Sequence, residues 1–203
     1  MRLPSSTMSM ESTVVRYDLR AWLKRLGVKG ADLVTRATGE QLRRAIEPDL
    51  EAGRGVAVLD FARIGVLDYS CADEVLAKMF VRLQAGEYGE RFLLIDGVSE
   101  GQRENLEVAL ERKSLAALAR EAGGKGFEVV GSLNDYLRET LGLVRAQGRL
   151  TARELSEARK LALNTASTRL INLHDLRLVA RVAEPGAASR RQFAYLWLPS
   201  FLA

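Results

Sequence analysis

Apolar runs and amphipathic runs alternate along residues 13–131. Nearly continuous or alternating apolar residues predict strands at 13–19, 55–61, 91–97 and 126–131. Apolar positions three or four residues apart predict helices at 38–53, 71–86 and 99–113. This order is typical of an α/β domain in which helices pack on a small sheet. The run at 55–61 is so apolar that we expect a central strand, covered on both faces.

Local signals mark the starts of these helices. Thr38 is the predicted N-cap of the first helix, and Gln41 completes a capping box three residues later. Pro48 lies inside that helix and is expected to kink or split it. Ser99 is the predicted N-cap of the third helix. The first helix is therefore predicted to begin after Thr38 and to be interrupted near Pro48.

From residue 132 the pattern becomes helical and then alternates again. Amphipathic runs predict three short helices at 133–148, 151–162 and 164–177. Thr151 and Glu154 are placed as a capping box at the start of the second. Two alternating strands follow at 178–184 and 193–198, and the segment PGAASRRQ joins them. We therefore predict a flexible tail at 1–12, an α/β domain at 13–131 and an α+β domain at 132–203.

Composition excludes several classes of protein. The chain of 203 residues is 47% hydrophobic and 28% charged, which is typical of a folded globular protein and not of a disordered one. It has no apolar secretory segment and no run of about 18 apolar residues, the length that a membrane helix requires. We therefore expect a cytoplasmic protein with no membrane partner.

The chain has few of the residue types that enzymes and metal sites need. It has one cysteine, Cys71, and one histidine, His174, which excludes disulfide frameworks within the chain and Cys/His zinc sites of the ordinary kind. Asp73 and Glu74 are adjacent, but neighbouring helix positions point about 100° apart, so we interpret them as part of a helix face. We predict no enzymatic activity, no metal site and no cofactor.

Positive charge is concentrated in the C-terminal region. Residues 132–203 carry 11 Lys and Arg against six Asp and Glu, whereas residues 1–131 carry 19 against 20. An excess of cations attracts anionic partners such as nucleic acids. The asymmetry predicts two domains with different partners.

Three segments of the C-terminal region carry a family resemblance: TARELSEA at 151–158, TRLINLHDLRLVARV at 168–182 and the aromatic strand FAYLWL. They resemble the winged helix-turn-helix domains of bacterial transcriptional regulators. The resemblance implies that the third helix enters the major groove of duplex DNA and that the hairpin contacts the backbone or the minor groove. The predicted DNA-binding residues lie on the outward face of that helix or at the hairpin tip: Asn164, Thr165, Thr168, Arg169, Asn172, Arg190 and Arg191.

A second interpretation of this region involves no DNA. The predicted inward residues Ala166, Leu170 and Leu173 would serve equally well in a winged helix that binds protein. The outward helix face has a single Arg, and two nearby acidic residues, Asp175 and Glu184, reduce its positive field. His174 lies beside the buried stripe and is interpreted as structural.

The N-terminal region carries a second resemblance, over about residues 30–131. GVAVLDFARIGVLDYSCADEVLAKMF at 55–80 and RFLLIDGVSEGQRENLEVALERK at 91–113 resemble STAS-like domains and, more distantly, the anti-sigma-factor antagonists. By position, Asp68 and Ser70 match the Asp and the phosphorylatable Ser at the start of a helix in those antagonists. Tyr69 replaces the other Ser of the antagonists' Asp-Ser-Ser-Gly motif, and Cys71 replaces its Gly. The implied partner is a signalling protein, such as a serine kinase of the histidine-kinase-like ATPase fold.

Ser70 has two interpretations. A helix N-terminus stabilises an added phosphate, so the resemblance implies a phosphoacceptor there. Ser70 is equally suited to be the N-cap of a helix that begins at Cys71, with Asp73 in the first turn. We interpret Cys71 as a small buried residue.

The two resemblances together predict a non-enzymatic bacterial regulator. In this hypothesis a STAS-like interaction or sensing module at 13–131 is coupled to a winged-helix DNA-binding domain at 132–203. The alternative is a protein–protein signalling adaptor that does not bind DNA. A repressor that holds a small molecule in the STAS-like core also stays open. Winged helices often dimerise, so a homodimer is a further hypothesis, although no dimer surface is identified.

Overall fold

The computed structural model describes residues 14–184 and 192–202. The predicted tail at 1–12 and the hairpin-tip residues Arg190 and Arg191 lie outside the described residues. Within the described ranges, no helix combines the length and the apolar character that crossing a membrane would require.

Residues 14–131 form one sheet and the helices that pack on it. The strands are β1 (Val14–Asp18), β2 (Gly55–Asp60), β3 (Arg91–Val98), β4 (Ala116–Glu121) and β5 (Glu128–Gly131). The helices are α1 (Leu19–Arg25), α2 (Arg36–Ala52), α3 (Tyr69–Ala72), α4 (Lys78–Gln84) and α5 (Glu100–Glu111). A π-helical turn, Asp73–Ala77, joins α3 to α4.

The five strands lie side by side in chain order. The first four are parallel, and β5 is antiparallel to β4. Crossovers between parallel strands are right-handed, so this order carries the connecting helices to one face of the sheet. Alternate residues of the central strands, such as Leu59 and Ile95, pack with the helices there in one apolar cluster. The predicted α/β class, with helices on a small sheet, is confirmed.

Residues 135–202 add three helices and a second, antiparallel sheet. The elements are α6 (Asp135–Gln147), β6 (Arg149–Thr151), α7 (Ala152–Arg159), α8 (Leu163–Asp175), β7 (Val179–Ala183) and β8 (Phe193–Trp197). A 3₁₀ turn, Leu198–Leu202, follows β8. The strand order in this sheet is β6-β8-β7.

The C-terminal elements cover the second face of the first sheet. Apolar residues of β2, β3 and β4 that point away from α2 and α5 belong to one buried cluster with residues of α6 and α8: Val56, Val58, Phe92, Leu94, Leu118, Leu137, Leu141, Val144, Leu170 and Leu173. At the edge of this contact, the ring centre of Phe92 lies 6.2 Å from that of His174. The regions 13–131 and 132–203 therefore share a core, and β2 is covered on both faces as predicted.

Several local predictions differ from the structure. The N-cap of α2 is Thr35, whose hydroxyl accepts from the Thr38 amide at 3.1 Å, so the helix begins earlier than predicted. The helix continues through Pro48, because Ile46 and Leu50 on either side of it are held in the core. The predicted Ser99 cap is confirmed, with Gln102 completing a capping box. Two strands, β4 and β6, were not predicted.

Candidate functional site

A groove of about 290 Å³ lies where the starts of α7 and α8 meet the hairpin β7–β8. Its walls combine basic, neutral polar and apolar side chains, among them Arg153, Leu163, Asn164, Ser167, Arg181 and Phe193. The groove adjoins the exposed start of α8.

Short-range interactions fix α7 and α8 beside each other. Thr151 and Glu154 form the predicted capping box at the start of α7. Lys160 ends that helix in the left-handed conformation, at φ 52°, and turns the chain into α8. Leu155 of α7 and Ala166 of α8 are fully buried, so the contact side of each helix is fixed. As a result the first turn of α8 remains at the surface, where Leu163 is 53% exposed.

The predicted DNA-binding residues of α8 do not share one environment. Asn164, Thr165 and Thr168 are exposed in the first half of the helix, and the Thr168 hydroxyl donates to the Asn164 carbonyl at 2.9 Å. Asn172, two turns further on, is half-buried. The structure thus groups three of the predicted residues at the start of α8, next to the groove.

The prediction that Arg169 projects outward is wrong. Its guanidinium carbon lies 5.2 Å from the ring centre of Tyr136, and its Nη1 lies 3.6 Å from the Glu139 carboxylate. Both partners belong to α6, which packs along this side of α8, so only 19% of the Arg169 side chain is exposed. Arg169 therefore ties α8 to α6.

Two basic residues of the groove, Arg153 and Arg181, were not singled out from the sequence. Arg153 is exposed in the first turn of α7. Arg181 lies on β7, paired with Tyr195, and its guanidinium carbon is 3.6 Å from the ring centre of Phe193. The C-terminal charge excess was the only sequence signal for them, because their approach depends on how the hairpin packs against α7.

The Asp68–Ser70 turn precedes α3. The expectation that Ser70 caps this helix is wrong: the N-cap is Asp68, whose carboxylate accepts from the Ser70 amide at 2.6 Å. The Ser70 hydroxyl is half-buried and donates to the same oxygen at 2.5 Å. This hydrogen bond lowers the pKa of Asp68. Asp68 and Ser70 are thus brought together, but in a self-contained turn.

Cys71, the residue after this turn, is fully buried. Its Sγ lies 2.9 Å from the carbonyl oxygen of Thr35. Burial raises the pKa of the Cys71 thiol to about 11, so the reactive thiolate is scarce at neutral pH. These observations agree with its interpretation as a small buried residue.

The π-helical turn brings Asp73 and Glu74 to a common cation. Arg36 Nη1 lies 3.1 Å from a carboxylate oxygen of each, although we expected them to point apart. Glu74 also receives Arg43 at 3.1 Å and Lys78 at 2.5 Å. Burial opposes ionisation of Glu74, but hydrogen bonds from Lys78 and Arg43 outweigh it and lower its pKa. The network links α2 to the segment that follows β2.

His174 makes the contact between α8 and the first sheet sensitive to pH. Burial lowers the pKa of His174, and Asp175, 3.5 Å from Nδ1, only partly opposes this. As pH falls below about 6.5, the unfolded chain binds a proton before the folded one does. The free energy of unfolding is therefore fully retained above that pH and decreases as pH falls toward the lowered pKa.

Urea unfolding at pH 7.5 and 5.5 measures this decrease, which we expect to be smaller in His174→Gln. An equal decrease in that variant would contradict the assignment.

Comparisons of the chain with models of protein families, with curated proteins and with solved structures gave no match. Within residues 14–184 and 192–202, no three His, Cys, Asp or Glu side chains are grouped as a metal ion would require.

Proposed function

We propose that this chain is a regulatory protein that binds duplex DNA through the surface formed by α7, α8 and the hairpin β7–β8. The observation that carries the proposal is the element order α6-β6-α7-α8-β7-β8 with strand order β6-β8-β7. That arrangement is expected of a winged helix-turn-helix domain, in which the second helix of the pair enters the major groove. The exposed polar start of α8 supports it.

In this proposal, the first half of α8 contacts base edges. Asn164, Thr165 and Thr168 provide hydrogen-bonding groups there, and the exposed Leu163 provides an apolar surface suited to a thymine methyl group. The buried residues of α8 fix the orientation of the helix, and with it the direction of these exposed side chains. Arg169 has a positioning role, because it fixes α8 against α6.

The first sheet and its helices would be the sensing or interaction module. Its second face and α8 share a core, and the guanidinium of Arg177, just after α8, lies 5.7 Å from the ring centre of Phe92 on β3. A signalling protein that binds near the Asp68–Ser70 turn would act on the same sheet from the opposite side. Coupling between the two sites through β2 and β3 is part of the proposal.

One observation favours the second candidate, a protein–protein adaptor without DNA binding. Val34 and Val66 are 48% and 55% exposed, and they adjoin the backbone bridge that pairs Leu33 with Leu67. Two exposed valines beside the Asp68–Ser70 turn suit a protein partner. These two valines are not part of the α8 surface, so a test of DNA binding distinguishes the DNA-binding regulator from the adaptor.

The test is binding of the full chain to labelled duplexes of about 25 base pairs at about 50 and 200 mM salt. We expect affinity to fall steeply with salt, because contacts to phosphates release counterions. A triple change of Asn164, Thr165 and Thr168 to Ala should reduce the preference among duplex sequences, since each good base contact contributes about 1–3 kcal/mol of discrimination.

The matched control for this test is Gln41→Ala. Gln41 is an exposed polar residue of α2, far along the chain from the groove, so its loss should leave both affinity and sequence preference unchanged. Circular dichroism checks that each variant is folded. If the full chain does not bind duplexes from a random-sequence pool at low salt, the DNA-binding proposal fails and the adaptor is favoured.

A further inference from the structure

We propose that the groove between α7, α8 and the hairpin holds a phosphate group of the DNA backbone between Arg153 and Arg181. This assignment rests on the proposed function and adds to it the residues that bind the backbone. Arg153 belongs to the α7 wall and Arg181 to the β7 wall of the same groove.

The fold places both arginines at the groove, and Arg181 is also held there by its contacts. Arg181 projects from a strand residue paired with Tyr195, and its guanidinium lies over the ring of Phe193. Stacking on an aromatic ring leaves the edge of a guanidinium group available for hydrogen bonds to an anion. Arg153 is the second residue of α7, directly after the capped start of the helix.

The charge on these two arginines is not neutralised within the described part of the chain. Several other arginines of this region have carboxylate partners: Arg145 pairs with Glu128, Arg149 with Glu184 and Arg159 with Glu139. Arg138 and Arg177 have none among the described residues, but they lie outside the groove. Neither Arg153 nor Arg181 forms an ion pair with a residue that the structure describes. Two guanidinium groups in one groove therefore point to an anionic ligand.

Glu154 and Glu184, two acidic residues next to groove-lining residues, are already engaged. The carboxylate of Glu154 accepts from the amide and the hydroxyl of Thr151, at 2.7 and 2.8 Å. Glu184 is held by Arg149. An anion in the groove would therefore meet the two arginines and the neutral side chain of Ser167, and it would not have to displace a carboxylate from either arginine.

A backbone phosphate fits this groove better than an isolated anion does. The groove is open and continuous with the first turn of α8, where Asn164 and Leu163 are exposed. A phosphodiester placed there would belong to a strand that continues past α8, so base contacts and the phosphate contact could form together. Free phosphate and a DNA strand present the same chemical group, and we assign the groove to the phosphate of duplex DNA.

The experiment measures the slope of log affinity against log salt for the full chain and variants on one duplex. Arg153→Gln and Arg181→Gln should each reduce the slope by about one and weaken binding roughly five- to tenfold at low salt, on every sequence tested. Arg181→Lys keeps the charge and should retain the slope. Asn164→Ala should change sequence preference without changing the slope.

The matched control is Arg138→Gln. Arg138 is exposed on α6, outside the groove, and forms no ion pair with a described residue. Equal loss of slope in Arg138→Gln and the groove variants would overturn the assignment, as would unchanged slopes in both groove variants. In either case salt-dependent binding by the natural chain would leave the proposed function standing. If the natural chain does not bind DNA, the function and the assignment both fail.

A further arm distinguishes free phosphate from the DNA backbone. The melting temperature of the full chain is measured without DNA, in inorganic phosphate and in chloride at equal ionic strength. We expect the change in melting temperature between the two salts to be the same for Arg153→Gln as for the natural chain. If phosphate raises the melting temperature only when Arg153 is present, and DNA binding is unchanged by its loss, the ligand is a free anion and the assignment to DNA is overturned.

Discussion

Replacement of Leu94 by Ala is expected to lower the free energy of unfolding by about 2–5 kcal/mol, the range for a large side chain removed from a well-packed core. Leu94 is fully buried at the centre of β3, paired with Val58 on one side and Leu118 on the other. Its side chain belongs to the cluster that also contains residues of α6 and α8. The loss should therefore affect both halves of the chain equally.

The two tryptophans allow the loss of stability to be measured in each half of the chain separately. Trp22 packs against the apolar cluster between the first sheet and its own helices. Trp197 packs against the cluster that the second face of that sheet shares with α6 and α8. Urea unfolding followed by fluorescence of Trp22→Phe and Trp197→Phe chains should give one midpoint, which Leu94→Ala shifts by the same amount in both. Leu26→Ala, at an exposed position, is the control and should shift it little. A shift confined to the Trp22 signal would show that the halves unfold independently.

The loss of Glu74 is the second change with a large expected effect. Glu74 is 1% exposed and lies in contact with Arg36, Arg43 and Lys78. Removing one partner of a buried ion pair typically costs about 3–5 kcal/mol when the charge left behind is itself buried and unpaired. Among the partners of Glu74 only Arg43 is mostly buried, and it keeps its ion pair with Glu47, so the expected loss lies below that range. We expect Glu74→Ala to lower the free energy of unfolding by about 1–3 kcal/mol, and Glu74→Gln to lower it less, because the amide oxygen still accepts hydrogen bonds.

Glu40→Ala is the matched control for Glu74→Ala. Glu40 also pairs with an arginine, Arg44, four residues away, but both side chains are exposed, so the loss should be below about 0.5 kcal/mol. Because the pKa of Glu74 is lowered, its contribution to the free energy of unfolding is present above the pH range in which a carboxyl group ordinarily titrates. This contribution is lost as pH falls through the lowered pKa. Urea midpoints at pH 7 compare the variants. Equal destabilisation by the two changes would contradict a special role for the buried network.

The sequence predicted correctly those features that depend only on residues close together in the chain. The Ser99 cap, the Thr151–Glu154 capping box and the inward stripe of α8 depend on residues a few positions apart, and the structure confirms them. Strand β4 was missed because its AALARE sequence is rich in helix-favouring residues, and it is extended only because it pairs with β3 and β5. Strand β6 has three residues, too few to show a period.

The candidate site was predicted only in part, for a related reason. The order of helices and strands after residue 132 located the exposed start of α8, which depends on nearby sequence alone. The direction of Arg169 depends on α6, and the approach of Arg153 to Arg181 depends on hairpin packing. The apolar run of β2 indicated that both faces are covered, but no local pattern shows that the C-terminal helices provide the cover.

The cover that α6 and α8 place over the first sheet has a consequence during synthesis. All five strands of that sheet are complete once residue 131 has been translated, yet the second face waits for residues 132–203. At about 5–20 residues per second, a nascent chain would expose this apolar layer for several seconds. During that interval Val56, Leu94 and Leu118 would be open to chaperones, which bind such exposed apolar surface.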